Sequence, residues 1–296
     1  MYVITGATGN TGRVVAERLL DAGRKVRVVG RSAERLRPLV QKGGEAVVAD
    51  ISDTDALTKA FAGARAVYAL IPPDPTVEDV RGYQRSIAES LATGLERSGV
   101  RHAVFLSSVG AHLPDGTGPI AGLHEAEERL KRVPGINILH LRPSYFMENL
   151  LMFLPTIQQA GVAGSAVAGD VPIPMIATRD IGEYAARRLL ELNFTGYSTR
   201  ELLGQRDVSL GEAASVLGRA IDRPDLKYVQ FPYADAEQAM VDMGLGRDMA
   251  RLYTEMSRAM NEGRVAPQEQ RSRENTTPTS IEDFAPIFAA AAAGAG

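Results

Sequence analysis

Glycine stands at positions 6, 9 and 12 in the stretch VITGATGNTGRVV, after a short apolar run and at the mouth of an amphipathic one. That placement suits a turn that holds phosphate. Gly6 lets the chain turn sharply, and Gly9 lets backbone amides approach a pyrophosphate with no Cβ in the way. Gly12 allows close packing of helix on strand. The exposed amides and the positive end of the helix favour an anion, the dipole alone by about 0.3–1 kcal/mol. Thr8, Asn10 and Thr11 lie between these glycines and belong to the same expected cradle. A purely structural turn is the competing reading.

The cofactor's identity is read a little further on. Where a second strand should end the sequence runs Val28-Val29-Gly30-Arg31-Ser32, with no carboxylate to accept from ribose hydroxyls. Arg31 and, one helical turn later, Arg35 stand there instead. Two guanidinium groups suit a 2′-phosphate that a carboxylate would repel, although surface arginines are often simply solvated. The expected cofactor is NADP(H), with NADPH preferred to NADH.

These residues need a frame. The first half alternates β-branched runs with amphipathic stretches, the pattern of an α/β fold of Rossmann type, a doubly wound parallel sheet with helices on both faces. Strands are predicted at 2–5, 25–30, 46–50, 66–71, 102–107 and 137–141, and helices near 11–22, 33–42, 55–61, 77–98 and 120–132. Gly23 and Gly99 can end helices in the left-handed conformation. Ser32 and Ser52 stand where N-caps are expected, and the run Glu125, Glu127, Glu128 reads as a solvated helix face. After Leu150 the rhythm changes. A strand and helix in IPMIATRDIGEYAARRLLE precede helical segments near 210–220, 234–243, 248–261 and 281–290, with a polar loop at 267–278 and a frayed alanine-rich end at 289–296. The expected division is a cofactor-binding domain over 1–150, to which 173–206 returns, and a smaller, mostly helical substrate-binding part from 151–172 and 207–296.

Composition excludes several classes. Of 296 residues, 45% are hydrophobic and 23% charged, enough to bury a full core. A net charge of −3 and the absence of Trp argue against a nucleic-acid surface. Without Cys there is no disulfide, thiolate nucleophile or thiolate metal site. His102, His112 and His140 show no metal-ligand spacing, and no metal is expected. No apolar run approaches the roughly 20 residues that span a bilayer. The expected location is the cytoplasm.

TGATGNTG at the N-terminus, VVAD ending at Asp50, FLSSVGA at 105–111, LRPSYFMENLL at 141–151 and TTPTSIEDFA at 276–285 together resemble the NmrA-like group of atypical short-chain dehydrogenases. The resemblance spans nearly the whole chain. The wider superfamily reduces carbonyls with a Tyr-x-x-x-Lys pair, the lysine lowering the pKa of the tyrosine that donates a proton. None of the nine tyrosines here has a lysine four positions on. Instead, the resemblance puts His124 near the nicotinamide ribose, as an imidazole proton donor or as a ribose-binding or surface residue. It puts Ser107 beside the nicotinamide as a catalytic candidate and a cofactor contact, where a strand-end hydroxyl could equally cap backbone. Leu70, Ile71 and Pro72 are implied against the ribose, and Asp50 and Ile51 against the adenine. Pro143, Ser144, Tyr145 and Phe146 are implied behind the nicotinamide ring, Tyr145 also as a catalytic candidate; both aromatics could equally be core.

The activity implied is an NADPH-dependent reductase that passes hydride to a small, apolar or aromatic, electron-poor acceptor. Quinones lead, with azo or iminium compounds and activated double bonds as variants. The Met-rich stretches AMVDMGLGRDM and LLMFL suit a pocket wall, or ordinary core. The alternative implied by the same family is a catalytically silent NADP(H)-binding sensor that regulates a partner.

Overall fold

The structure, a computed structural model, describes residues 1–294. Along the first half run β1 (Tyr2–Ile4), α1 (Asn10–Asp21), β2 (Val26–Gly30), α2 (Ala33–Gln41), β3 (Glu45–Val48), α3 (Thr54–Phe61), β4 (Ala66–Leu70), α4 (Val80–Ser98), β5 (His102–Leu106), α5 (Ile120–Leu130) and β6 (Asn137–Pro143). There follow β7 (Tyr145–Phe146), a 3₁₀ helix (Met147–Phe153), α6 (Leu154–Ala160), β8 (Ala163–Ser165), β9 (Ile173–Ile176), α7 (Thr178–Glu191) and β10 (Tyr197–Leu202). The chain closes with β11 (Asp207–Val208), α8 (Leu210–Ala220), β12 (Tyr228–Gln230), α9 (Tyr233–Asp242), α10 (Arg247–Asn261) and α11 (Ile281–Gly294).

Seven strands form the main sheet in the order β10-β6-β5-β4-β1-β2-β3, and every pair is parallel. The period of two along each strand sorts side chains onto two layers. Val3, Val29, Val67, Ala69, Ala103, Phe105 and Ile138 pack with α3, α4 and α5. Tyr2, Ile4, Val28, Tyr68, Val104, Leu139 and Leu141 pack with α1, α2 and α7. This is the expected doubly wound arrangement.

The predicted elements stand within four residues of the observed ones, and several of the differences have local causes. Asp53, not Ser52, caps α3 by accepting from the amides of Asp55 and Ala56. Ser52 donates instead to Asp50. Helix α4 begins at Val80 rather than 77, because Asp79 caps Gly82 and Asp248 accepts from the Val80 amide. The seventh strand, β10, was not foreseen, and the strand in IPMI is β9, which pairs with β7 and β11 apart from the main sheet. The alanine-rich end is helical through Gly294, with Phe284 and Phe288 anchoring it in the core; 295 and 296 lie outside the described residues.

A further core buries Leu150, Phe153, Met175, Leu217, Phe284 and Phe288 together, and so draws on segments from both sides of the expected division. Polar contacts tie its surroundings to α7. Both carboxylate oxygens of Glu148 accept from the Thr178 amide at 3.0 Å, capping a helix whose own N-cap residue, Ala177, offers no side-chain acceptor. Asp180 accepts from the amide and hydroxyl of Thr279 at 3.0 and 2.7 Å. Replacing Glu148 with Ala is expected to cost about 0.5–2 kcal/mol of stability, by analogy with other lost caps. A urea-unfolding midpoint unchanged from wild type would refute that.

Candidate cofactor and active site

All seven strands of a parallel sheet point their carboxyl ends to one edge. Chain order runs outward from β1 in both directions, so the crevice opens between β1 and β4, where ligands bind in open α/β sheets. Many of the sequence-predicted residues fall on that edge. Gly6 follows β1, Arg31 follows β2, Asp50 and Ile51 follow β3, and Leu70 to Pro72 close β4. Ser107 follows β5, while Pro143 to Phe146 span the end of β6 and all of β7.

The glycine turn fits a pyrophosphate. Gly6 has φ +58°, in the left-handed region that favours glycine, and a Cβ there would lie 3.1 Å from the Leu70 side chain. A Cβ on Gly12 would stand 2.4 Å from the Gly6 carbonyl oxygen. Gly9 begins α1 with no side-chain cap, and the first helical bond runs from the Arg13 amide to the Gly9 carbonyl. The amides of Asn10, Thr11 and Gly12 are thereby left for an anion. The Thr11 hydroxyl takes a hydrogen bond from the buried Tyr68 hydroxyl at 2.9 Å, so its side chain belongs to the core and its amide remains for a ligand.

At the other end of the crevice Arg31 and Arg35 are both exposed, and Ser32 caps α2 as expected by accepting from the Arg35 amide. Hydrogen bonds from the Ser52 hydroxyl and amide hold the Asp50 carboxyl below its usual range, helped by the Arg31 charge. Ile51 and Ile71 pack on the sheet layer that holds α3 and α4. The Pro72 carbonyl accepts from the Tyr83 hydroxyl at 3.0 Å.

The carboxyl ends of β5 and β6 differ most from expectation. Ser107 is 3% exposed and donates its hydroxyl proton to Glu127 Oε1 at 2.6 Å. Glu127 is 1% exposed, which corrects its reading as part of a solvated face. Its carboxylate takes Nε of Arg142 at 2.9 Å and Nη2 at 2.6 Å, a two-pronged buried pair. Burial alone would raise the Glu127 pKa most strongly, but the bonds from Arg142 and Ser107 outweigh it and the group lies below its ordinary range. His140 Nδ1 stands 3.8 Å from the same carboxylate, and burial lowers its pKa to about 4, leaving the ring neutral at pH 7.

Ser144 donates its amide to the Leu202 carbonyl, while its buried hydroxyl has no partner among the described residues. Tyr145 packs against the core that holds Leu150, Phe153 and Phe284, and burial raises its phenol above the tyrosine range. Phe146 lies with Leu106, Ile176 and Leu202. His124 has Nδ1 2.9 Å from the Ala111 carbonyl, and its ring lines a cleft between α4 and α5 with Arg85, Glu89, Glu128 and Arg132. The Met-rich stretches are divided: Met249 is packed with Val80 and Leu252, while Met152 and Met243 are exposed. Among the described residues no His, Asp and Glu cluster could hold a metal, and no helix is long and apolar enough to cross a membrane.

A doubly wound sheet with an uncapped, glycine-gated helix at its crevice defines a dinucleotide-binding protein. A family model described as NAD(P)H-binding matches residues 6–164, more than half of the chain, and the chain belongs to that family. Among curated proteins it is 35% identical over 226 residues to a (4-alkanoyl-5-oxo-2,5-dihydrofuran-3-yl)methyl phosphate reductase of Streptomyces griseus, covering 76% of this chain and 75% of that one. It is 26% identical to an NAD(P)H azoreductase of Xenophilus azovorans, covering 86% of each. Quinone oxidoreductase 2 of Escherichia coli is also 26% identical, covering 89% of each. The crystal structure of that Escherichia coli enzyme with NADPH superposes with a TM-score of 0.83 at 23% identity, over 97% of this chain and 99% of that one. A mutant NmrA superposes at a TM-score of 0.66 and 16% identity, over 97% of this chain and 90% of that one, and so shares the fold. The protein is an NAD(P)H-dependent oxidoreductase.

Proposed function

We propose that the chain is a cytoplasmic NADPH-dependent reductase whose acceptor is a small, electron-poor conjugated molecule, with quinones first and azo, iminium or activated double-bond compounds in the same class. One observation carries this reading: the chain has no Tyr-x-x-x-Lys pair, and the hydroxyl proton of Ser107 is already committed to a carboxylate. A simple carbonyl needs an acid at its developing alkoxide, worth about 10²–10⁴ in rate. A conjugated acceptor spreads the charge instead, and its protons can come from water or from the imidazole of His124. The names of the relatives support the same class: an azoreductase, a quinone oxidoreductase and a reductase of an oxo-dihydrofuran carrying an alkanoyl group.

In this reading the amides of Asn10, Thr11 and Gly12 hold the pyrophosphate, and Arg31 and Arg35 face the 2′-phosphate. Leu70, Ile71 and Pro72 border the ribose, with Asp50 and Ile51 at the adenine. Pro143, Ser144, Tyr145 and Phe146 back the ring. Bound NADPH supplies the hydride. The protein's contribution is to hold ring and acceptor together and keep water out. Residues 151–172 and 207–296 form the acceptor side.

The test is NADPH oxidation against a panel of quinones, azo dyes and enones, with NADH in parallel. Acceptor-dependent turnover favouring NADPH is expected. Tight NADPH binding with no turnover on any acceptor would overturn the reductase reading in favour of a silent sensor. Arg31→Ala is expected to raise KM for NADPH about tenfold and to leave KM for NADH within twofold, as for a lost hydrogen bond to a charged group. Equal changes in both would remove Arg31 from the phosphate site.

A further inference from the structure

The reading above leaves Glu127, Arg142 and Glu201 without a task, although all three are buried in one place. Sheet register explains why they meet. Leu106 pairs with Leu141 and the Ser107 amide donates to the Leu141 carbonyl, which sets Ser107 beside Arg142 at the strand ends. Arg142 pairs in turn with Glu201 on β10. Alternation puts Arg142 on the layer of Ile138, facing α5, where Glu127 shares the inward stripe of Leu123, Ala126 and Leu130. Glu201 Oε2 accepts the amides of Gln268 and Glu269 at 2.8 Å each. Burying an ionic group costs several kcal/mol unless its partners are well placed, and structure alone would be served as well by apolar residues.

We propose that Glu127, fixed by Arg142, is a positioning residue that turns Ser107 into a pure hydrogen-bond acceptor facing the cofactor's carboxamide or ribose hydroxyls. A serine hydroxyl has one proton and two lone pairs. With the proton held on Glu127 Oε1 at 2.6 Å, only lone pairs remain for a ligand. Ser107 therefore selects a donor, such as a carboxamide NH₂ or a ribose hydroxyl, and delivers no proton to a reduced acceptor. His140, neutral and without a hydrogen bond among the described residues, leaves Arg142 as the cation that balances Glu127.

This inference rests on the NADP(H) reading, and the experiment separates the two. NADPH dissociation constants are measured by cofactor fluorescence for wild type, Ser107→Ala, the apolar double Glu127→Met/Arg142→Met, and the triple combining them. Ser107→Ala is expected to weaken binding about fivefold to tenfold, in line with one hydrogen bond. The double variant should weaken it too, and the triple should bind within twofold of the double, because an unlocked hydroxyl has lost its orientation. Losses that simply multiply, or a Ser107→Ala constant within twofold of wild type, would overturn the role. Should the double not fold, Ser107→Ala decides alone through its kinetics. A raised KM for NADPH with an unchanged pH profile of turnover supports the acceptor role. Turnover slowed by about two orders of magnitude or more, with a shifted alkaline limb, makes Ser107 a proton donor and refutes it. Wild type that does not bind NADPH would sink both proposals; wild type that binds while Ser107→Ala is indifferent sinks this one only.

Discussion

Gly12→Ala is expected to weaken NADPH binding by at least about 100-fold, some 2.7 kcal/mol. The added Cβ would stand 2.4 Å from the Gly6 carbonyl oxygen, 2.9 Å from its carbon and 3.2 Å from the Ala7 Cα. All three are backbone atoms of the turn, so no side chain can swing aside. Nor can strand and helix part cheaply, because Ile4, Val15, Ala16 and Leu19 are fully buried between them. Relief has to come from opening the turn, which carries the amides of Asn10 and Thr11 away from the anion they would hold. Gly23→Ala is the control. Its site is open, with nothing within 4 Å, and its φ of +68° costs about 1 kcal/mol of stability without touching the turn. Fluorescence titration with NADPH checks both variants, with circular dichroism to confirm helix content. A Gly12→Ala protein binding within threefold of wild type would remove the turn from the cofactor site.

The second large effect concerns stability. Arg142→Met should destabilise the fold by about 3–5 kcal/mol, because it leaves a buried carboxylate without its cation. Against a typical total of about 5–15 kcal/mol, that is a severe loss. Glu127→Met/Arg142→Met should recover most of it, since neither charge then needs a partner. The pH dependence separates this from loss of packing. In wild type the Glu127 pKa is depressed, so its contribution is present above the unfolded pKa and fades as pH falls through the folded value. In Arg142→Met the Ser107 bond is the main hydrogen bond left to oppose burial, and that pKa is expected to rise above the unfolded one. Stability is then favoured below the unfolded pKa and lost as pH rises through the folded one. Urea unfolding from pH 4.5 to 8 should therefore show the deficit shrinking toward acid. A deficit independent of pH would mean that lost packing around the arginine, rather than the stranded carboxylate, dominates.

Much of the frame was legible because local chemistry and tertiary need agree there. The largely apolar runs from Val26 and Ala66 are buried on both faces, and the glycine turn carries its geometry in its spacing. Strand β10 was missed because an edge strand with Tyr197 exposed and polar residues between shows no apolar run. Glu127 was misread because neighbouring glutamates looked like one solvated face. A signal was present: 127 lies four after Leu123 and three before Leu130, inside the apolar stripe. His124 lines a cleft between α4 and α5, a matter of helix rotation that no spacing records. Asp53 and Ser52 compete for one cap, and the choice depends on Asp50 taking both Ser52 donors.

Helix α7 lies so close on α1 that a Cβ at Gly182 would stand 2.6 Å from Val14 and 2.9 Å from the Thr11 carbonyl. The helix behind the glycine turn is thus buttressed by chain that emerges from the ribosome much later. Between Gly12 and the end of β10 lie roughly 190 residues. At about 5–20 residues per second, the nascent turn waits on the order of 10–40 s for its support. Such distant pairings also slow folding once the chain is free. A polypeptide ending near residue 150 would keep every glycine of the motif and lack both α7 and β10, so a truncated product should be a client for chaperones rather than a miniature cofactor-binding domain.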